Sequence, residues 1–567
     1  MNRWRAAFAR NPFGIAPPLI FAIFVGPIML GLFGTLLPAF GIHPAISDSH
    51  LSLDPWRALF ADPAFGKSLR LTLSVGFGAT IIAVFIAFGS VALLYGTSAF
   101  DRLRRLLAPA MAFPYASFAV GLAFLIAPSG WIARLLSPWA TGWDQPPDLL
   151  IIGDPDAIAL TIALALKESL FLILMIVGAL GQINSAALMR TARSFGYNRV
   201  QAWLKLVAPQ VYRQVRLPIY AMLAGSFAVV DMAIVLGPAA PPTLAPFTLD
   251  LYRQLDVVLQ LKAAAASIFQ LGLVVCVIGI WWLGESLVQF GLRPWFSNGH
   301  RRGYGAILVS SMGLLGLGLA LLASFGAIVM LIIWSFSGMW TWPNAFPHAW
   351  SFNAWTSSNN DLAGLAGRTI IIAVTATAIA TVAAILCLEA GVAEKRQRWI
   401  GITYAPLLVP QISFLFGVQL LWNRFWLDGT LVAVAMTHLL FVLPYVLLVL
   451  GDPYRALDPR IAFAARSLGA GRVRTLVRVK LPLLARPLAG AMAIGFAVSV
   501  AQYLPTVFAG AGRINTLTTE AVALASGADR RLTGVVAFGL TALPFMALFL
   551  ATIVPNFLAR NRRGLQL

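Results

Sequence analysis

Thr191-Ala192-Arg193-Ser194-Phe195-Gly196 returns as Ala464-Ala465-Arg466-Ser467-Leu468-Gly469, 273 residues further on. The same offset pairs Gly178 with Gly451, Arg199 with Arg472, Val200 with Val473, Pro209 with Pro482 and Arg213 with Arg486. Beyond these it pairs Gly237 with Gly510, Thr243 with Thr516 and Leu244 with Leu517. One match of this kind is noise. An ungapped register that keeps glycines and prolines in step marks a duplication. A fold assigned to one copy must therefore serve the other.

Each copy is dominated by apolar runs. The 567 residues are 59% hydrophobic and 11% charged, where a soluble domain carries about 25% charged residues. Runs of about 18 or more apolar residues are long enough to cross a bilayer as helices. Twelve are found, near 14–40, 69–95, 106–127, 157–182, 217–239, 263–291, 305–337, 369–388, 399–422, 430–450, 483–505 and 532–557. The first is longer than the apolar core of about 7–15 residues in a signal peptide, so we read it as a retained span. The fold expected is an all-α integral membrane protein with two parallel six-helix repeats: 1–291, a basic and polar cytoplasmic linker at 292–304, and 305–567. An even number of spans per copy makes both halves enter the membrane in the same direction, about a pseudo-two-fold axis along its normal.

Net charge is +20, which by itself could suggest a nucleic-acid partner. Its distribution does not. With the N- and C-termini in the cytoplasm, 29 of the 41 lysines and arginines fall on the cytoplasmic side against 6 acidic residues. The outer side then holds 11 basic and 13 acidic residues. This is the positive-inside rule of multi-pass membrane proteins, with anionic lipid as a secondary contact. Cys276 and Cys387 lie in separate apolar runs, and the five histidines show no ligand spacing. We expect neither a metal site nor a cofactor.

The repeated loop lies between the fourth and fifth spans of each copy. Val473, Leu476, Val477 and Leu481 recur at helical intervals, with Arg472, Arg474 and Arg478 pointing elsewhere. A short helix, a bend at Gly196 or Gly469, and a second helix along the membrane surface fit this pattern. Glycine allows positive φ at the bend, and Pro209 and Pro482 are expected to mark the turn into the next span. The same spacing fits a basic amphipathic loop resting on anionic lipid. Duplication with a fixed glycine-to-proline interval favours a pair of equivalent docking elbows.

These loops resemble the EAA motif of permeases in bacterial ABC importers, which reads Glu-Ala-Ala, three residues, Gly, nine residues, Ile, one residue, Leu-Pro. Ala464, Ala465, Gly469, Leu481 and Pro482 fall on motif positions in the second copy, with Val479 at the Ile position. Ala192, Gly196 and Pro209 do so in the first, with Leu206 at the Ile position and Ala208 in place of Leu. Arg190 and Phe463 stand where the motif has Glu, and Thr191 replaces its first Ala. The resemblance implies that both elbows couple to ABC ATPase subunits, two copies in all. It also implies a solute-binding protein outside, a small-molecule substrate, and residence in a bacterial inner membrane. The fused form resembles the iron(III), thiamine and polyamine group. Leu504-Pro505-Thr506 through Thr516-Leu517-Thr518-Thr519-Glu520 looks closest to its thiamine-type members.

No phosphate-cradling loop of the form G-x-x-x-x-G-K-[ST] is present. Gly66-Lys67-Ser68 has its end, but Ala61 stands where the first glycine belongs. ATP hydrolysis is thus expected on a separate chain, and this one is not expected to be an enzyme. The alternative is a twelve-helix secondary transporter of the major facilitator kind. Its Gly-to-Asp loop signature is approached at Gly96–Asp101, but the spacing is one too long and Arg104 replaces its second glycine. Charged residues inside a span usually face a cavity or a partner. Lys167, Glu168 and Asp231, with Gln502 near the repeat position of Asp231, are candidates for the translocation path. Satisfaction of Lys167 and Glu168 by neighbouring helices is the other reading, as is a structural hydrogen bond from Asp231 to a loop amide.

Overall fold

The computed structural model describes residues 16–43, 50–301, 303–357, 361–394, 408–527 and 529–559. Among them the architecture is helical, with one isolated bridge, Ser337 to Trp350, and no strand. The first half contains α1 (Ala16–Ala39), α2 (Pro63–Leu94), α3 (Ser98–Ala112), α4 (Tyr115–Ile126), α5 (Ile158–Leu180), α6 (Ser185–Ser194), α7 (Ala208–Ala228), α8 (Asp231–Leu236), α9 (Leu244–Arg253) and α10 (Val257–Ser297). The second contains α11 (Tyr304–Ser335), α12 (Leu362–Glu394), α13 (Ile412–Arg424), α14 (Leu431–Arg455), α15 (Pro459–Ser467), α16 (Ala485–Val500), α17 (Leu504–Gly510), α18 (Leu517–Ala525) and α19 (Arg530–Ala559). Four helix starts repeat at the sequence offset: Ile158 with Leu431, Asp231 with Leu504, Leu244 with Leu517 and Val257 with Arg530.

Nine described helices are long and apolar enough to cross a membrane, or ten with one bent pair counted as a span. Four expected runs differ from the observed elements, the one at 483–505 being interrupted between α16 and α17. The run at 106–127 is divided: Phe100, Leu103, Leu107 and Ala110 bury one face of α3 while Asp101, Arg102, Arg104 and Arg105 leave the other polar, and Pro114 caps the start of α4. The crossing helix there is Tyr115–Leu136. The run at 217–239 is interrupted between α7 and α8, and Arg213, Gln214 and Arg216 make the start of α7 polar. The run at 399–422 starts outside the described residues and ends as α13. Helix α10 continues to Ser297, so the start of the expected linker is helical and the connection is formed around Asn298–Arg301.

The first helix of each half packs on the other half. Helix α1 lies against α13 and α12, and α11 lies against α2, α4 and α5. Small residues make these crossings possible. A Cβ on Gly417 would overlap the Gly31 carbonyl, one on Gly121 would meet the Ala327 backbone, and Gly89 faces Gly313. Close backbone approach through small residues is the usual means of joining helices in lipid, where apolar burial alone gives little drive. On α11, Gly313, Leu317, Ala320 and Ala327 are buried, while Leu308, Leu315 and Leu322 on the opposite face are 66%, 66% and 70% exposed. The outward stripe suits lipid and the inward one suits a neighbouring helix.

Paired hydrogen bonds carry the two-fold relation across the halves. Ser117 on α4 donates to the Ala537 carbonyl of α19 at 3.0 Å, and Ser413 on α13 donates to the Ser267 carbonyl of α10 at 2.9 Å. Within each half, the Leu244 amide donates to Thr72 at 2.8 Å and the Leu517 amide to Thr369 at 3.0 Å. At one end of the interface Arg134 and Arg530 share the Ser129 carbonyl, at 3.0 and 3.1 Å. Arg134 also donates to Thr341 and Asn344 at 3.0 and 3.3 Å and lies over Trp340.

Gly417→Val should be destabilised by about 1–3 kcal/mol or more, because it overpacks a backbone crossing that cannot relax by a rotamer change. Thermal unfolding in detergent is the measurement. A melting temperature equal to wild type would mean that α1 and α13 do not cross at this point.

Candidate functional site

The elbows are built as the sequence pattern implies up to the bend. Helices α6 and α15 end at Gly196 and Gly469, with φ of +82° and +86°, a conformation glycine adopts without the penalty of a Cβ. One turn later each copy widens into a π-helical segment, Trp203–Val207 and Leu476–Lys480, again 273 residues apart. The prolines then act differently. In the second copy Pro482 is followed by a bend of 82° at Leu484 before α16. In the first, the chain stays helical through Pro209 into α7, so Pro209 does not mark a turn. A proline normally clashes with the carbonyl four residues earlier. The wide π turn directly ahead of Pro209 removes that carbonyl from the ordinary ladder.

Both elbows present an apolar residue at the bend. Phe195 and Leu468 occupy equivalent positions and are 62% and 88% exposed. Their settings differ. Helix α6 buries Ser185, Met189 and Ala192, and Trp203 is fully buried against Phe88. Helix α15 buries none of its residues: Ala464 and Gly469 are exposed, and Ala465 and Pro482 are half-buried.

Lys167 and Glu168 are both buried but engage different neighbours. Lys167 donates to the carbonyls of Ala110 at 3.0 Å and Phe113 at 2.7 Å, the last carbonyls of α3 and of its junction with α4. Phe113, Tyr115 and Phe118 surround the ammonium. A cation satisfying a helix C-terminus is favourable, and here it completes a helix end away from water. This is the neighbouring-helix reading. Glu168 accepts from the Tyr115 hydroxyl at 2.8 Å.

Asp231 stands where α7 breaks, and its Oδ1 accepts from the following amide at 2.9 Å. The matching break lies at 501–503, before α17. Both breaks free a carbonyl at the same repeat position, and each finds a side-chain donor. Gln270 donates to the Phe227 carbonyl at 3.1 Å, and Thr518 donates to that of Val500. Gln502, half-buried, accepts at its carbonyl from Thr506 at 3.0 Å. Broken spans of this kind are tolerated where they line a cavity or are enclosed by protein.

Three tyrosines that sequence reading passed over join these acids. Tyr115 is within electrostatic reach of both Glu168 and Asp231, Tyr445 of Glu168, and Tyr503 of Asp231. Tyr445 is accessible although Pro444, Val446 and Leu447 beside it are buried. Arg253 of the first half donates to the Tyr503 hydroxyl of the second at 2.9 Å. Lone tyrosines in otherwise apolar helices were the available signal. The cluster draws on both halves and can offer carboxylate and hydroxyl oxygens and aromatic faces to a positively charged solute.

No protein-family model matches the chain. The chain is 30% identical over 556 residues to the inner membrane ABC transporter permease protein YnjC of Escherichia coli (strain K12), covering 97% of this chain and 100% of that protein. It is 27% identical over 131 residues to the spermidine/putrescine transport system permease protein PotC homolog of Mycoplasma genitalium, covering 22% of this chain and 46% of that one. Neither relative is a secondary transporter. A helical multi-pass architecture with a duplicated elbow and an end-to-end relative of this kind have one reading: the chain belongs to the family of inner membrane ABC transporter permeases.

Proposed function

We propose that this chain forms the complete transmembrane unit of an ATP-driven importer, with its termini on the cytoplasmic side of a bacterial inner membrane. Two ATPase subunits dock on the elbows, and a solute-binding protein delivers the solute from outside. The observation that carries this reading is the pair of equivalent bends, each with an apolar residue exposed beside a positive-φ glycine, Phe195-Gly196 and Leu468-Gly469. Closure of the ATPase dimer displaces the elbows and rocks the halves, exposing the path to one side at a time. Residues 1–291 and 305–567 act as the two halves, with α1 and α11 exchanged between them.

The solute we favour is a small cation, thiamine-type or iron(III). Glu168 and Asp231 bring negative charge to the two-half cluster, and the polyamine system in the name of the second relative also handles a cation. Mass spectrometry of the partner binding protein's native ligand tests this directly. An anionic ligand there would reject it.

Asp231→Asn and Glu168→Gln should lower uptake of that ligand by about tenfold, since each removes about 1.4 kcal/mol or more of attraction for a cation at the path. Unchanged uptake in both would remove these residues from the path. Lys167→Met should instead act on stability, by about 1.5–3 kcal/mol, because it leaves two buried carbonyls without their charged donor. Thermal unfolding separates the two effects.

Gly469→Trp should keep assembly and abolish coupling between ATP hydrolysis and uptake. Phe195→Asp with Leu468→Asp should release the ATPase from the purified complex. If the ATPase still copurifies with that double variant, the elbows rest on lipid instead.

A further inference from the structure

The two elbows are alike in backbone and unlike in what fastens them. The first is tied to the connection between the halves. Lys205, in its π turn, is buried and donates to the Asn298 carbonyl at 2.8 Å, to the Asn298 side-chain oxygen at 2.7 Å and to the His300 carbonyl at 3.5 Å. All three donors of the ammonium are thereby used, and the Trp295 and Tyr197 rings lie 5.1 and 5.6 Å away. Burial holds the Lys205 ammonium below the ordinary lysine range. Next to it the Asn198 amide donates to the Arg301 carbonyl at 3.1 Å. The Gln201 side chain sits so close to Gly303 that a Cβ there would overlap it.

The connection leads directly into α11. That helix is built into the first half from its start to its middle: Ala306, Leu317, Ala320 and Leu321 share one apolar cluster with Val200, Trp203 and Val207 of the elbow. The second elbow has another fastening. Lys480, in the matching π turn, pairs with Glu389 of α12 at 2.5 Å, and Glu389 also accepts from Tyr454 of α14. Helices α12 and α14 both belong to the second half. The repeat counterpart of Lys205 is Arg478, and that of Lys480 is Val207. Each elbow has thus replaced the other's anchor.

We propose that the first elbow, the Asn298–Arg301 connection and the cytoplasmic end of α11 move as one body, with Lys205 as the positioning residue that joins them. Displacement of the first elbow then moves an element of the second half directly, whereas the second elbow drives its own half through Lys480 and Glu389. The asymmetry follows from joining two copies in one chain, because only the first elbow has the connection beside it. This inference rests on the importer reading given above.

The test uses the full permease–ATPase complex in nanodiscs with its binding protein, Cys276 and Cys387 replaced by Ala, and ATP hydrolysis as the readout. Asn198→Cys with Arg301→Cys should form a disulfide on oxidation and keep binding-protein-stimulated hydrolysis within about twofold of the reduced form. A reversible loss of about tenfold on oxidation would show that elbow and connection separate during the cycle, and so would overturn the proposal. Failure of the disulfide to form would do the same. Lys205→Ala should lower the stimulated rate about five- to tenfold, Lys205→Arg should lower it less, and the disulfide should restore the rate in the Lys205→Ala background. Absence of that rescue also overturns the tie. If the parent complex itself shows no ATP hydrolysis that responds to the binding protein, the importer reading fails instead.

Discussion

Every backbone amide and carbonyl inside a membrane span must find its partner within the protein, because hydrocarbon offers none. In an unbroken helix the ladder does this. Where a helix stops inside the bundle, a side chain must. Lys167 completes the end of α3, Gln270 completes the end of α7 and Thr518 that of α16. The interrupted spans and polar side chains of this protein are two faces of the same constraint. Lys167, Gln270 and Thr518, which look anomalous in apolar runs, each stand at such an interruption.

The constraint also explains how one repeat yields unequal halves. The break between α7 and α8 and that between α16 and α17 are equivalent, and both free the same carbonyl. Their donors differ in type and in helix of origin. Duplication preserves the backbone problem and leaves the side-chain solution free to diverge. Asp231 opposite Leu504 and Lys167 opposite Leu440 are further cases. The two halves therefore present unequal side chains at equivalent backbone positions.

The elbows add a mechanical side to this inequality. Positive φ at Gly196 and Gly469 and the π turns after them are common to both. Burial is not: the first elbow is packed into its half, and α15 of the second is not. Swapped first helices then link the halves mechanically, since α1 cannot follow one half without its contacts on α12 and α13 in the other. The halves meet at the small-residue crossings, where backbone surfaces approach closely.

Local pattern in the sequence determined the helical membrane class, the duplication and the elbow glycines. Hydropathy, charge sidedness and glycine punctuation are properties of neighbouring residues, and they survive without knowledge of the fold. The same locality misplaced the third span, because the apolar face of α3 merged with α4 into one run until Pro114 separated them. It also assigned Pro209 a turn where the chain instead stays helical into α7. Only the tertiary structure decided that α1 and α11 change halves, that Tyr115, Tyr445 and Tyr503 gather about Glu168 and Asp231, and that Lys205 holds the connection. These depend on which small-residue face meets which, and on donors and acceptors hundreds of residues apart. No periodicity in one segment encodes its partner, so that part of the answer resides in packing.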